Sequence, residues 1–451
     1  MSSIEKLITR FSICPAILMG IFSLSSLAHA TRVNGRITWG GYAASETFAD
    51  QASGSTRNDF LTTSGRFFLQ ASEMGEEQDW QTTVDLRDKH DFFDKLEREK
   101  LKLTDRNTLQ VRQVSARYDK SKSTLLQFGR FPLIDAGNVH CDGAAIGYKP
   151  NRSWTFTGFG GLNAKRPDQQ YVTLNEDSLG YGGFAQYQSQ VGGWDNNLFG
   201  SVALVEQRVS GAVDRRYLYT VSSQQWAADS RLIHFMYLDF VPRVYVQTAY
   251  VDWNQRLSEG WSIETRGLAV DVIEYSRRQG VRERLEASPY KEGNLAITRQ
   301  LSSAMNLTAD ATYGKRSADN LDKKEYRIKL QMPRLISPKW DSSISAIYRD
   351  NFTSKDTVLR GGLGYFSRSW ELSSEVEAGI EKYEDGKDLH PITLEISYGY
   401  FLSRELYLAL SAEHAKDELV SITSAFIKVG YRFGNEELAP LRNGAAPRGR
   451  L

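Results

Sequence analysis

His90, His140, His234, His390 and His414 are the histidines beyond residue 30, and they are the first place to look for catalysis. None joins a Ser and an acid in a recognisable hydrolase arrangement. Cys141 follows His140 directly, but two adjacent side chains offer too few ligands at a usual spacing for a metal. A redox role for that pair stands against the plainer reading of a free loop thiol. No C-x-x-C-H haem-attachment motif occurs, so a haem would have to reside on another protein. The chain is expected not to be an enzyme and to hold no cofactor or metal. What remains able to do physical work is charge. Arg66, Arg87, Arg112, Arg327 and Lys329 form one set, and Glu371, Glu375, Glu377, Glu381, Glu395 and Glu413 another.

These charges are placed by alternation. In YRIKLQM, Tyr326, Ile328, Leu330 and Met332 share one parity and Arg327, Lys329 and Gln331 the other. The same period of two separates Trp370, Leu372, Val376, Ala378 and Ile380 from Glu371, Ser373, Glu375, Glu377, Gly379 and Glu381. It recurs in Trp80–Arg87 and Ile392–Gly399. Period two is the strand period. The segments often run ten residues or more, the length a tilted strand needs to cross a bilayer. A soluble sandwich also alternates, but its strands are usually shorter.

The 451 residues are 12% aromatic and 25% charged, with 36 Gly and 11 Pro. Mean hydropathy is -0.45, so any bulk apolar interior is thin, yet aromatics are too frequent for an unfolded chain. Residues 1–30 read as a secretory signal: Lys6 and Arg10, an apolar run from Ile13 to Leu27, and Ala28-His29-Ala30 as the cleavage site. Cleavage removes Cys14 and leaves Cys141 alone, so no intrachain disulfide is expected. The 56 basic and 55 acidic residues lose Lys6, Arg10 and Glu5 with the signal, leaving 54 of each. A neutral chain makes nucleic acid an unexpected partner.

The predicted fold is all-β: a transmembrane antiparallel up-and-down β-barrel over residues 31–433, with about 22 strands. Closure at 18 or 20 follows if Tyr217–Arg243 makes fewer crossings. Tight connections are predicted at Asp119–Lys122, Lys149–Arg152, Ser302–Ala304, Ile336–Pro338, Ser367–Ser369 and Leu402–Arg404. Longer polar ones are predicted at Lys89–Arg106, Phe131–Asp142, Asn163–Asp177, Arg316–Lys323, Asp385–Leu389 and His414–Val420. Short periplasmic turns and longer outside loops produce that pattern. Phe92–Leu103 and Arg277–Leu285 could each hold a short helix in an outer loop. Trp154, Trp340, Trp370, Tyr398, Tyr400, Phe401 and Tyr431 lie beside tight turns, where amphipathic rings suit a lipid boundary.

Hydrocarbon offers no partner to a bare backbone amide, so strands in a bilayer must close on themselves. Closure sends the apolar parity to lipid and the charged parity to a water-filled lumen. The lumen charges then either sort ions and dipolar solutes or merely solvate the wall and pair across strands.

With these features the chain resembles the bacterial outer-membrane porin-like β-barrel family over roughly Val33–Phe433. The most specific stretch is LQFGRFPLIDAGNVHCDGAAIGYKP, a strand ending at Gly129-Arg130, a loop, and a strand opening at Asp142-Gly143. The resemblance implies that the loop near 131–142 folds inward and narrows the channel. Arg130, Asp135, His140 and Asp142 are then the constriction candidates. Phe433, closing the last strand SITSAFIKVGYRF, resembles the C-terminal aromatic signal of barrel assembly. Residues 434–451 depart from the family pattern and read as a flexible periplasmic tail.

The expected function is passive diffusion of small hydrophilic solutes or ions across the bacterial outer membrane. The alternative is a sleeve or conduit within a larger envelope complex for export or electron transfer. Expected partners are outer-membrane lipid and small hydrophilic solutes, with a homo-oligomer or a periplasmic partner protein also compatible.

Overall fold

The computed structural model describes residues 32–50, 54–74, 79–92, 107–120, 123–163, 177–189, 196–226, 230–241, 244–271, 289–317, 320–334, 337–351, 354–383 and 386–434. The signal peptide, the tail beyond 434 and both expected loop helices lie outside these residues, except for Phe92.

The chain runs as β1 (Arg32–Asp50), β2 (Gly54–Met74), β3 (Trp80–Asp91), β4 (Asn107–Lys120), β5 (Thr124–Leu133), β6 (Val139–Tyr148), β7 (Trp154–Asn163) and β8 (Ser178–Gln188). It continues as β9 (Asn196–Val209), β10 (Ala212–Trp226), β11 (Ser230–Val241), β12 (Tyr245–Ser258), β13 (Trp261–Val270), β14 (Tyr290–Ser302), β15 (Met305–Arg316) and β16 (Asp322–Pro333). It ends with β17 (Trp340–Asn351), β18 (Ser354–Phe366), β19 (Trp370–Tyr383), the two-residue β20 (Asp388–Leu389), β21 (Ile392–Phe401), β22 (Leu406–Lys416) and β23 (Val420–Gly434). Apart from β20, a short flap on β19, each strand pairs antiparallel with its sequence neighbours. β1 meets β23 from Asn34↔Gly434 to Phe48↔Val420 and closes the ring. The result is a closed 22-strand barrel. Tyr217–Arg243 contributes two full crossings, β10 and β11, so the 18- and 20-strand closures do not occur.

Both chain ends of the barrel lie at one rim, called here the near end. The outer face carries the apolar parity: Ile328 is 59% exposed, Leu359 61% and Ile344 53%. From Lys355 to Tyr365 the outer face of β18 covers eleven residues, about 25 Å along the axis for a tilted strand. Rings bound this band at the near end in a continuous run. Trp340 meets Tyr365 at 5.0 Å, Tyr365 meets Trp370 at 4.7 Å, and Trp370 meets Tyr398 at 6.4 Å. A second near-end cluster places Phe433 6.2 Å from Tyr431 and 6.4 Å from Phe67. So large an apolar belt is a bilayer surface, because monomers in water rarely leave patches beyond a few hundred Å² uncovered.

The loop expectations need correction. Phe131–Asp142 is mostly strand, since β5 runs to Leu133 and β6 starts at Val139, leaving residues 134–138 as the connection. His414–Val420 shrinks to residues 417–419. Far-end connections are as short as residues 210–211, so short and long turns do not strictly alternate. The physical reason is that far-end strands continue past the apolar band. His414–Lys416 still pair in register there, and polarity alone reads them as loop, whereas Phe131, Leu133, Val139 and Cys141 are apolar and belong to a hairpin buried inside the barrel.

Candidate functional site: the barrel lumen

The hairpin of β5 and β6 leaves the wall. Gly129 has φ of 105°, a conformation L side chains rarely adopt, and a Cβ there would lie 2.2 Å from the Val114 carbonyl oxygen. Beyond this bend the tip crosses to the inner face of β9–β11. The Tyr217 hydroxyl donates to the Ala136 carbonyl at 3.0 Å, and the Tyr237 hydroxyl donates to the Gly137 carbonyl at 3.0 Å. The Ser201 hydroxyl donates to the Asp135 carbonyl at 3.2 Å. Ser201, Ala203 and Val205 are the inward parity of β9, because Val202 and Leu204 between them are exposed outside.

Phe131, Leu133, Ala136, Val139 and Cys141 are buried against Ala203, Val205, Tyr217 and Tyr219. Each fully buried large apolar side chain there contributes about 1.5–3 kcal/mol. Cys141 is a buried free thiol inside this cluster, which suits packing rather than reactivity.

The constriction candidates divide accordingly. Arg130 and Asp142 are both buried and form a two-pronged pair, with Arg130 Nη2 2.7 Å from Asp142 Oδ2. Arg130 Nη1 also donates to the Val111 carbonyl at 3.1 Å. This pair clamps the hairpin. His140 lies beside it, with Arg112 and Arg130 as its neighbouring cations. Asp135 is in the tip, where burial raises its carboxyl above the usual range against an opposing hydrogen bond from Gln186.

Of the wall charges, Arg66 and Arg87 face each other across β2 and β3, and Arg66 grips Asp85 at 2.7 Å. Arg112 is not an ordinary alternating position: Leu86 pairs with Val111 and Asp85 with Gln113, which makes Arg112 the extra residue of a β-bulge. Arg327 is held by Asp310 at 2.7 Å. Lys329 stands between Thr308 and Ser345 and shares a concave stretch of inner wall with Gln331, Ser343, Glu375 and Glu395.

The glutamates fall into three groups. Glu377 and Glu375 share Arg360, at 2.7 and 3.4 Å. Glu371 lies against Gly399, and Glu381 lies opposite Asp356. Glu375, Glu395 and Glu413 are directly opposite one another across β19, β21 and β22. That last row is a continuous strip of three carboxylates. Arg360 is the cation beside it, and Ser397 donates to Glu395 at 3.2 Å.

Sequence reasoning did not single out several further charged side chains of the wall. Arg360 joins the glutamate sector, Arg349 bridges Asp356 at 3.1 Å and Glu325 at 3.7 Å, and Arg215 grips Asp239 at 2.9 Å while reaching Gln247. Their parity was legible, but their partners are set by cross-strand register, which no local pattern reports. Among the described residues no group of three metal-ligating side chains occurs.

No family model matches the chain, and no curated protein matches it. Solved structures similar to it include Acinetobacter baumannii OccAB4, 10% identical with a TM-score of 0.45, covering 90% of this chain and 99% of that one. Pseudomonas aeruginosa OpdQ is 8% identical with a TM-score of 0.45, covering 89% and 98%. The P pilus usher (PapC) translocation pore is 10% identical with a TM-score of 0.44, covering 88% and 99%. Identities and scores this low do not extend to activity.

Proposed function

We propose that this chain is a channel of the bacterial outer membrane through which small hydrophilic solutes or ions diffuse passively. The observation that carries this reading is the inner wall. Charged pairs line a closed ring whose outer face is apolar, and one hairpin lies across part of the interior. Twenty-two strands about 4.8 Å apart and tilted about 40° enclose a backbone cylinder roughly 40–45 Å wide. The wall is polar on the inward parity of most strands, which suits water rather than a dry protein core. For that reason diffusion is preferred over a sleeve for a partner protein.

The near end is then periplasmic, and the hairpin tip of β5 and β6 stands toward the outer side as the constriction. Arg130 and Asp142 hold it in place, and Asp135 and His140 are its titratable groups. Selectivity is assigned to the Glu375–Glu395–Glu413 strip, with Arg327 and Arg66 serving the wall through their ion pairs. The protein reconstituted in planar bilayers is expected to give discrete conductance steps. An insulating bilayer with folded protein present would refute the reading.

A further inference from the structure

The outer face of β14–β19 changes character at its far end. Lys291, Lys315, Lys324, Lys355 and Lys382 lie on the same parity as the exposed Leu295, Ile328 and Leu359. Register joins them into one stripe. Lys291 is opposite Lys315, Lys315 opposite Asp322, Lys324 opposite Asp350, Asp350 opposite Lys355, and Lys355 opposite Lys382. Asp388 of β20 then follows Lys382.

Five lysines against three aspartates leave the stripe cationic. Its internal pairing is poor: Lys355 reaches Asp350 only at 3.9 Å, and Asp322 accepts instead from the Tyr313 hydroxyl at 3.0 Å. Lys291–Lys315 and Lys355–Lys382 are like charges directly opposite, an arrangement that costs stability unless an anion lies between them. Just inside the stripe come Tyr313, Tyr326 and Tyr348, the last two stacked at 6.4 Å, and then the apolar band. The stripe therefore stands at head-group height on the far side, and its six strands span about 24 Å of circumference. The outer face of β2 and β3 differs, presenting Asp59, paired with Arg57, and Asp88.

We infer that the stripe from Lys291 to Lys382 is a binding site for the phosphorylated glycolipid of the outer leaflet. Its lysines take the phosphates, and its tyrosines and apolar band take the sugar and acyl chains. Cationic side chains near a membrane surface attract anionic head groups in this way, and salt weakens the attraction. The inference rests on the outer-membrane placement but not on conduction, so loss of lipid binding and loss of conductance are separate failures.

The test uses the full chain in a neutral detergent and bis-phosphorylated lipid A, titrated by native mass spectrometry. The triple variant Lys315→Gln/Lys324→Gln/Lys355→Gln is expected to bind at least tenfold more weakly. Lipid A stripped of both phosphates should show the same loss against the unaltered protein. Arg404→Gln, in a near-end turn, should bind as the parent does. If the triple variant does not fold, Lys324→Gln alone carries the comparison, with about a threefold loss expected. Equal binding by parent and lysine variant overturns the site. Equally tight binding of phosphatidylglycerol overturns the glycolipid assignment.

Discussion

Replacing Glu375, Glu395 and Glu413 together by Gln removes the carboxylate strip while keeping side-chain shape. Cross-strand neighbours on one face sit about 5 Å apart, so a cation against Glu395 lies within about 7 Å of all three charges. Arg360 sits closer to Glu377, at 2.7 Å, and that pair is neutral, so the strip keeps its three charges. Three charges at about 7 Å in water attract a monovalent cation by about 1.8 kcal/mol before screening. At 0.1 M salt, where the Debye length is about 10 Å, roughly half survives, or about 1.5 RT. Cations are then enriched about fourfold to fivefold and anions depleted to match, a permeability ratio of up to about twentyfold. At 1 M salt, with a Debye length near 3 Å, the ratio falls to about 1.8. Reversal potentials in a tenfold potassium chloride gradient, recorded at low and high salt, read this directly. The triple Gln variant should bring the low-salt ratio close to one. A ratio that the substitutions leave untouched, or that ignores ionic strength, would show that the strip only solvates the wall.

The other predictions concern the hairpin and the wall. Tyr217→Phe deletes the donor to the Ala136 carbonyl and should weaken tip docking by about 1 kcal/mol, or up to about 3 if that oxygen stays dry. The combined Tyr217→Phe/Tyr237→Phe variant should show larger or noisier single-channel currents, and unchanged traces would contradict the docked tip as constriction. Burial raises the Asp135 carboxyl, so docking strength it contributes is full below the ordinary carboxylate range, near pH 4, and lost as pH rises through its shifted value. Currents should therefore be quieter in acid, and Asp135→Asn should flatten that dependence. Finally, Ile328→Lys places a charge on the apolar outer face and should destabilise the barrel by about 2–4 kcal/mol in lipid vesicles. Lys329→Ile, one residue on and facing inward, should cost far less in the same denaturant titration; equal costs would reverse the two faces.

The sequence alone determined the class of object and the direction of its side chains. Alternation such as Tyr326–Met332 depends only on the two-residue period of a strand. Because one face meets hydrocarbon, that period leaves a strong local signature, and the strand number follows from counting segments. Parity sets Arg66, Arg327, Lys329 and the glutamates opposite the apolar residues of their own strands. For Arg112 parity sets no direction, because a bulge inserts a residue whose presence depends on how two strands pair. The sequence pattern read the strand ends around Phe131 and Asp142 as loop, because Pro132 and the turn residues Asp135–Asn138 break the alternation, while the apolar Phe131, Leu133, Val139 and Cys141 pack inside the barrel and not on lipid.

Only the tertiary structure decided which charges meet. Arg360 became the partner of Glu375 and Glu377, and Glu375, Glu395 and Glu413 became a row, through the register between consecutive strands, which neither strand sets alone. The same holds for the tip at Ala136, whose carbonyl is met by Tyr217, 81 residues away. A strand writes its two faces into its own residues, but its neighbours and its offset against them belong to the closed ring.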